Sequence, residues 1–425
     1  MSSPVPPCVN AMGSCGPDAP DPPRLWRKGA SDLTPMDVSI LDVLIVLTSA
    51  AAIAGLVQAL AGALLVRRFA RQRSHPTTTL PPITVLKPLY GDEPLLEQAL
   101  ATICEQDYPN WQVVFGVQRA DDPAIAVVDR LQLRFPDRDL VLVVDPTLHG
   151  PNRKVGNLMN MLPSARHDVL AIADSDLHVR PDYLRRLMAA LNDPGVGLVT
   201  TLYAGLPAHR RLPALLGATQ ITHGFLPSAL LARGLGRRDC LGATMCLDRG
   251  MLARIGGFEA LVPHLADDNV LGQLVRRAGF RVALADTVPS TTVPEATLRA
   301  LFRHELRWAR TIRALEPVGF AASVLQYGQF WALMTVILTG GAVWTWILFL
   351  LSWVFRAGAA RAIDRALSEE LGALAFRCPV WLLPLRDLMS VVVFLASHSG
   401  TTVDWRGHGM HADTPRRPSG RNDDR

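Results

Sequence analysis

The longest uncharged runs of apolar residues lie near the two ends of the chain. The first, Val43 to Val66, has 24 residues without a charge, which is enough for one membrane-spanning helix. Arginines follow it directly at positions 67, 68, 71 and 73. By the positive-inside rule, we expect this end of the helix in the cytoplasm and the N-terminus outside. A buried core helix is the alternative, but the length of the run and the arginines favour a span.

The central part of the chain has a different pattern, in which short apolar runs alternate with helical stretches. The runs are ITVL, WQVVFGV, LVLVV, VLAIA and VGLVTTL, which begin at residues 83, 111, 140, 169 and 196. Such runs, separated by helices, are typical of βαβ units and a mainly parallel sheet. We therefore predict an α/β domain, Rossmann-like, in which ligands lie at the carboxyl ends of the strands.

The C-terminal part returns to apolar sequence. After Glu316 no charge occurs until Arg356, and this stretch is long for one helix. It could be a hairpin of two helices with TGG (339–341) as the turn. Residues 356–377 look amphipathic, which predicts an interfacial helix.

A last apolar segment covers about 379–398, but Arg386 and Asp387 interrupt it. Adjacent charges inside a span need a partner or an interface. We predict a tail of disordered composition over 1–37, a transmembrane helix over 38–66, a membrane region with two or three spans over 317–400, and a polar tail over 401–425.

The composition agrees with a membrane protein. Hydrophobic residues make up 49% of the chain and charged residues 19%, which is too apolar for an ordinary soluble enzyme. The net charge of +5 suits an anionic membrane face or an anionic substrate. The basic residues are dispersed, and the sequence has no zinc-finger spacing, so we expect no nucleic-acid partner.

Two aspartates, Asp174 and Asp176, follow the apolar run VLAIA directly. Two carboxylates this close at a strand end cannot both ionise cheaply unless a cation lies beside them. Mg²⁺ or Mn²⁺ supplies that cation, because such ions take one or two protein carboxylates and complete their shell with water and phosphates. A turn or helix cap ahead of Pro181 is the alternative.

Two further clusters could take part in chemistry. Asp267 and Asp268 begin a helical pattern, where acidic residues are ordinary caps but where an exposed carboxylate can also act as a general base. In HELRW, Arg307 suits bidentate phosphate contact and Trp308 offers a flat apolar wall. An interfacial helix anchored to lipid headgroups fits the same position.

Taken in order, seven motifs resemble the inverting glycosyltransferases of families 2 and 21. The similarity is strongest to ceramide glucosyltransferases and to the bacterial glycosyltransferases of hopanoid biosynthesis, and it covers about residues 83–312 and extends into the membrane part. The motifs are VLKPLYGDEP (85–94), YPNWQVVFGVQRADDPAI (108–125), GPNRKVGNLMNML (150–162), ADSD (173–176), ADD (266–268), HELRW (304–308) and VDWRGHG (403–409).

The resemblance implies a GT-A catalytic domain over 74–315, a UDP-sugar donor and inversion at the anomeric carbon. Asp268 would be the catalytic base, and Asp176, assisted by Asp174, would hold the metal. Residues implied at the donor and its diphosphate are Asp92, Glu93, Asp122, Lys154, Asp174, His304, Arg307 and Trp308. Residues implied at the sugar and acceptor pocket are His223, Gly242, Ala243 and Asp267.

The sequence departs from the family pattern in three places. His304 stands where relatives have Gln or Arg. The acid that meets the nucleotide base could be Asp121 or Asp122. The first acidic motif could be carried by Asp92 or Glu93, because the alignment there can shift by one residue.

The predicted function is transfer of a sugar to the hydroxyl of a membrane lipid, by a multi-pass protein of the bacterial inner membrane with a cytoplasmic catalytic domain. The interpretation we favour is N-acetylglucosamine transfer to a bacterial hopanoid polyol. Ceramide glucosyltransfer is the alternative, and a non-catalytic membrane scaffold with the same fold is an alternative of another class. Processive polysaccharide synthesis is less favoured, because the sequence predicts only three or four spans.

Overall fold

A computed structural model describes residues 39–72 and 78–400, together with the backbone of 402–405 and 408–411. The predicted tail over 1–37 and most of the tail over 401–425 lie outside the described residues. The chain divides into two compact units, Met1–Leu44 and Ile45–Arg425. The described part of the first unit is the start of one helix, and the second unit contains the rest of the fold.

The strands are short, and most belong to the central part of the chain. They are β1 Ile83–Pro88, β2 Trp111–Val117, β3 Asp139–Val144, β4 Val169–Ala173, β5 Leu177–His178, β6 Val196–Thr200, β7 Ala204–Pro207, β8 Thr244–Asp248, β9 Arg281–Leu284, β10 Ser290–Val293, β11 Thr402–Trp405 and β12 His408–His411.

The helices alternate with the strands and then dominate the C-terminal part. They are α1 Ile40–Arg71, α2 Leu96–Cys104, α3 Ala124–Arg134, α4 Arg153–Met161, α5 Tyr183–Leu191, α6 Leu212–Gln220, α7 Leu226–Gly234, α8 Arg249–Arg254, α9 Asp267–Arg277, α10 Leu298–Leu315, α11 Pro317–Ala322, α12 Gly328–Leu338, α13 Val343–Leu371 and α14 Leu383–Ser397.

The large sheet has seven strands in the order β3-β2-β1-β4-β8-β6-β9. Strand β8 is antiparallel to both neighbours, and the other pairs are parallel. Each of the five apolar runs identified in the sequence forms a strand of this sheet. The predicted α/β fold, with a mostly parallel sheet and apolar helices at both ends, is confirmed.

The apolar runs are continuous because both faces of the sheet are buried. In β4, Val169 and Ala171 belong to one core cluster, while Leu170 and Ile172 belong to the other. Successive side chains of a strand point to opposite faces, so a strand covered on both sides needs an apolar residue at every position.

A second, three-stranded sheet lies in the order β5-β10-β7. Its strand β5 follows β4 after only three residues, 174–176, which pass from the large sheet to the small one. The two aspartates therefore lie at the carboxyl end of a parallel strand, where the two sheets meet.

Three helical segments among the described residues are long and apolar enough to cross a membrane: Ile40–Arg71, Val343–Leu374 and Val380–Ser397. A bent pair, Pro317–Gln326 with Gly328–Leu338, would make a fourth if it counts as one span. The number agrees with the predicted three or four.

The uncharged stretch after Glu316 divides at the predicted turn. Gly340 and Gly341 have positive φ angles of 64° and 85°, a conformation that favours glycine, and they separate α12 from α13. The segment predicted as an interfacial helix, 356–377, is not separate: it continues α13 as far as Leu371. No proline lies between residues 356 and 371, and Gly358 stays helical, so the apolar helix extends directly into the amphipathic one.

The adjacent charges in the last span are both paired. Arg386, which is 1% exposed, donates two hydrogen bonds of 2.7 Å to the carboxylate of Glu305 on α10. Asp387 accepts a 2.7 Å bond from Arg356 on α13. Helix α14 is therefore tied to α10 on one side and to α13 on the other.

We expect Arg386→Met to destabilise the protein, because it leaves the buried Glu305 carboxylate without its partner. Breaking a buried ion pair in this way costs on the order of 3–5 kcal/mol. Thermal unfolding of the detergent-solubilised protein would measure the effect. The double variant Glu305→Leu/Arg386→Met should recover much of the loss, and an unchanged unfolding temperature for Arg386→Met would contradict the assignment.

Candidate active site

The two aspartates after β4 are held by groups from both sheets. The backbone N–H of Asp174 donates to the carbonyl of Ala243, and Lys87 at the end of β1 donates a 2.6 Å bond to the Asp174 carbonyl. The Asp176 carboxylate accepts a 2.6 Å bond from the hydroxyl of Thr291 on β10. Burial, and then the charge of Asp174, raise the pKa of Asp176 to about 6. A nearby cation would relieve this repulsion.

Lys154 supplies a positive charge beside the first aspartate. Its Nζ lies 2.5 Å from Oδ1 of Asp174 and 3.5 Å from the carbonyl oxygen of Gly242. Burial by itself would lower the pKa of Lys154, but the carboxylates of Asp174 and then Asp267 raise it above its usual value. Lys154 therefore stays charged and lies within electrostatic range of both acidic motifs.

The N-terminus of α4 joins Lys154 to the start of α9. Asn152 caps α4 by accepting a 3.1 Å bond from the N–H of Val155. The amide nitrogen of the same side chain donates to the carbonyl of His264 at 2.8 Å and to Oδ1 of Asp267 at 3.2 Å. Because one side chain fixes both helix ends, the structure brings Asp174, Lys154 and Asp267 into one cleft.

Asp268 lies against the backbone of Gly242. A Cβ atom on Gly242 would be 2.8 Å from Oδ2 of Asp268, so only glycine allows the carboxylate this position. Burial, and then the charge of Asp267, raise the pKa of Asp268 to about 7. A carboxylate with such a pKa can accept a proton near neutral pH.

The first acidic motif also reaches this cleft. Glu93 accepts a 2.5 Å bond from the hydroxyl of Ser175, between the two aspartates, whereas Asp92 is exposed. Asp122 is buried, and its carboxylate accepts bonds from the N–H groups of Gly91 and Ala124, so it orders the turn that carries Glu93. Glu93 is thus the acid that contacts the ADSD motif, and contact of Asp122 with a nucleotide base stays a prediction.

The HELRW motif lies on α10. His304 bonds through Nδ1 to the carboxylate of Glu295 and stacks edge-on against Trp308, with 4.4 Å between the ring centroids. Burial alone would raise the pKa of Glu295, but the bond from His304 and the charges of His304 and Arg307 hold it below its usual value. His304 therefore orients Trp308 and Glu295.

His223 contacts a buried carboxylate on helix α13. It lies in a π-helical turn, Ile221–Phe225, and its Nε2 is 2.8 Å from the carboxylate of Asp364 on α13. Both side chains are buried. The contact joins the catalytic domain to a membrane helix, and a role of His223 at the sugar or acceptor stays a prediction.

Two residues of the cleft were missing from the sequence-based set. Lys87 is fully buried, and burial lowers its pKa to about 8 against the opposing charges of Asp176 and Asp174. Tyr203 stacks on Phe225, and burial, followed by the charges of Asp268 and Asp174, raises the pKa of its hydroxyl. A lysine within the apolar strand ITVLKP is unusual, and it could have identified Lys87 as a functional residue. For Tyr203, only its position shortly after β6 indicated that it lies near the cleft.

Comparison with known proteins agrees with the motifs. Residues 46–417 match the model of glycosyl transferase family 21. Ceramide glucosyltransferase 1 of Caenorhabditis elegans is 24% identical over 349 residues, which are 79% of this chain and 72% of that protein. An N-acetylglucosaminyltransferase of Rhizobium leguminosarum bv. viciae is 24% identical over 243 residues, 55% of this chain and 56% of that protein.

Among solved structures, a mannosyltransferase of Pyrobaculum calidifontis in complex with GDP-Man and Mn²⁺ is similar over 84% of this chain and 99% of its own, with 21% identity and a TM-score of 0.47. The family match over residues 46–417 defines the class of protein as a glycosyltransferase. The chain belongs to glycosyl transferase family 21, and the resemblance to this family and to ceramide glucosyltransferases is confirmed.

We expect Gly242→Ala to impair transfer while leaving the protein folded. The added methyl group would displace the Asp268 carboxylate, and misplacing a catalytic group by about 1 Å can cost roughly 10²-fold in rate. Turnover of nucleotide sugar by purified protein would measure the loss. Gly234→Ala is the matched control, because a Cβ there meets nothing within 4 Å; equal activity of the two variants would contradict this account.

Proposed function

We propose that the protein transfers a sugar from a UDP-sugar to the hydroxyl group of a membrane lipid, with inversion at the anomeric carbon. The observation that carries the proposal is the shared cleft, in which Lys154 lies between the ADSD motif and the acids at the start of α9. One acid for the acceptor proton and a separate charged cluster for a diphosphate are what a single in-line displacement needs.

The residues of the ADSD motif suit a divalent cation. Among the described residues, no three His, Cys, Asp or Glu side chains are arranged to bind one metal ion. The site we propose has two protein ligands, Asp176 and Asp174. The two carboxylates repel each other, and the charge of Glu93 adds to this repulsion. A bound cation would relieve it. A bound Mg²⁺ or Mn²⁺ would neutralise the negative charge that develops on the diphosphate.

The protein's own side chains would do the rest of the work. Lys154 and Arg307 would add positive charge on the side of the leaving diphosphate. Trp308 would form a flat apolar surface beside it. Asp268 would take the proton from the acceptor hydroxyl as it attacks from the opposite face of the sugar. No covalent sugar intermediate is required, because one base and one attack give inversion.

The membrane helices support a lipid acceptor. Glu305 of HELRW bonds to Arg386 in the last span, and His223 bonds to Asp364 on α13, so the catalytic domain is built onto the membrane part. An acceptor could keep its apolar tail in the bilayer while its hydroxyl reaches Asp268. The arginines after Val66 favour a catalytic domain on the cytoplasmic side, and we propose a bacterial inner membrane as its location.

For the sugar and the acceptor, we propose N-acetylglucosamine and a bacterial hopanoid polyol. The similarity to bacterial N-acetylglucosaminyltransferases supports this sugar. Glucose transfer to ceramide is the second candidate, which the similarity to ceramide glucosyltransferases favours.

We expect Asp268→Asn to abolish transfer, because an amide cannot accept the proton; loss of a general base typically costs about 10²–10⁴-fold. Mass spectrometry of lipids from bacteria that express either form would show a glycosylated lipid with the wild type only, and its mass would distinguish the two acceptors and sugars. UDP binding should be unchanged, and Asp193→Asn, at an exposed site, should behave as wild type. Full activity of Asp268→Asn would remove the base assignment.

We expect Asp176→Ala to lose the part of UDP binding that depends on a divalent cation, because the carboxylate proposed to hold the cation is gone. Calorimetric titration with UDP, with Mn²⁺ or with a chelator, separates the two contributions. In the wild type the cation should tighten binding, whereas in the variant the two titrations should coincide. A variant that still responds to Mn²⁺ as the wild type does would show that the cation binds elsewhere.

A further inference from the structure

A second pocket lies at the far edge of the large sheet, outside the acidic cleft. It has a volume of about 420 Å³ and is formed by the end of α1, by α7, by the C-terminal end of α9 and by β9. Four arginines line it: Arg233, Arg238, Arg276 and Arg281. We call it the arginine pocket.

The four guanidinium groups bond to backbone carbonyls. Arg233 donates to Val282 at 2.9 Å, Arg238 to Arg233 at 2.8 Å and Arg276 to Arg238 at 3.0 Å. Arg281 donates to the carbonyl of Pro194 at 2.5 Å.

No ion pair within 4.0 Å joins any of these four to a carboxylate in the part of the chain that the structure describes. The acid close enough to affect Arg233, Asp239, is itself paired with Arg237 at 2.7 Å, and Arg237 also binds Glu316. The positive charge of the arginine pocket is therefore not neutralised by the described residues.

This arrangement suits an anion with several oxygens. A guanidinium has five N–H donors in a planar fork, so one bond to a carbonyl leaves others for a phosphate. The arginines are close together, since Arg238 bonds to the backbone of Arg233, and burial and then the charge of Arg238 lower the pKa of Arg233. A phosphate between them would turn the repulsion into attraction.

The other wall of the pocket is apolar. Phe69, Leu230 and Phe280 line it, together with residues of β9. A phosphate alone needs no such wall, whereas a phospholipid presents a phosphate next to glycerol and acyl carbons. The mixed lining therefore favours a lipid over a free anion.

The position of the pocket agrees with a lipid. Phe69 follows the 24 uncharged residues of the first span, which are about 36 Å long as a helix and so just exceed the hydrocarbon core of about 30 Å. The arginines 67, 68 and 71 beside it are exposed, and with the span in the hydrocarbon core they would lie at the level of the headgroups. Basic residues just outside a span attract anionic lipids.

We propose that the arginine pocket binds the phosphate of an anionic bilayer phospholipid, with the lipid's apolar part against Phe69, Leu230 and Phe280. The site is separate from the cleft, since Asp268 and Arg276 lie near opposite ends of α9, about 12 Å apart along the helix. A lipid bound there holds the catalytic domain against the membrane at a second point. The proposal does not depend on the reaction catalysed.

The test is lipid retention by the full-length protein. Protein in nanodiscs of phosphatidylcholine with phosphatidylglycerol is released, and native mass spectrometry counts the lipids that stay bound. Wild type should keep phosphatidylglycerol in preference to phosphatidylcholine. Arg276→Gln/Arg281→Gln, at two exposed positions, should lower that retention roughly tenfold, because two charged bonds are lost.

The matched control is Arg130→Gln/Arg134→Gln, which removes the same charge from exposed arginines paired with Glu97 and Glu105. It should retain lipid as the wild type does. The single variant Arg276→Gln serves if the double variant does not fold, and an intermediate loss is expected. Retention by the pocket variants equal to that of the wild type would overturn the proposal.

A second arm separates a lipid from a free anion. Released protein is titrated with inorganic phosphate, which has the charge but no acyl chain. Phosphatidylglycerol should stay bound at millimolar phosphate. Displacement by inorganic phosphate would overturn the lipid assignment, and so would equal retention of phosphatidylcholine and phosphatidylglycerol.

Discussion

The site depends on the attraction between the ammonium group of Lys154 and the carboxylates around it. Asp174 lies 2.5 Å from Lys154, and Asn152, two residues earlier, bonds to Asp267. Acidic groups from two distant parts of the chain would repel each other in a shared cleft without such a cation. The cap of α4 thus does two things, because it starts the helix and it sets the separation of the two acidic motifs.

A second constraint is the attachment of the active-site helix α10 to the membrane helices. The helix that carries Arg307 and Trp308 is fixed to the last span through Glu305 and Arg386. Near the C-terminal end of α13, Glu370 accepts hydrogen bonds from Thr287 and Val288 and pairs with Arg186. These three partners belong to the catalytic domain. The membrane helices therefore position the site as well as anchoring it.

Much of the fold was predictable because the sheet is covered on both faces. A strand such as β4 must be apolar throughout, and that pattern is visible without any tertiary information. The antiparallel strand β8 and the small sheet were not distinguished, since their pairing joins residues far apart in the sequence. The continuity of α13 was also missed, because its amphipathic half looks like a helix of its own.

The sequence by itself determined the class of domain and indicated the apolar helices and the acidic motifs, because periodicity and motifs are local properties. Only the tertiary structure decided which partner each charge has. It paired Arg386 with Glu305 and His223 with Asp364, and it placed the buried Lys87 beside the Asp174 carbonyl. It also gathered four arginines, from α7, the loop after it, α9 and β9, into one pocket. The members of these pairs are far apart in the sequence, so their contacts could be identified only once the positions of the residues in space were known.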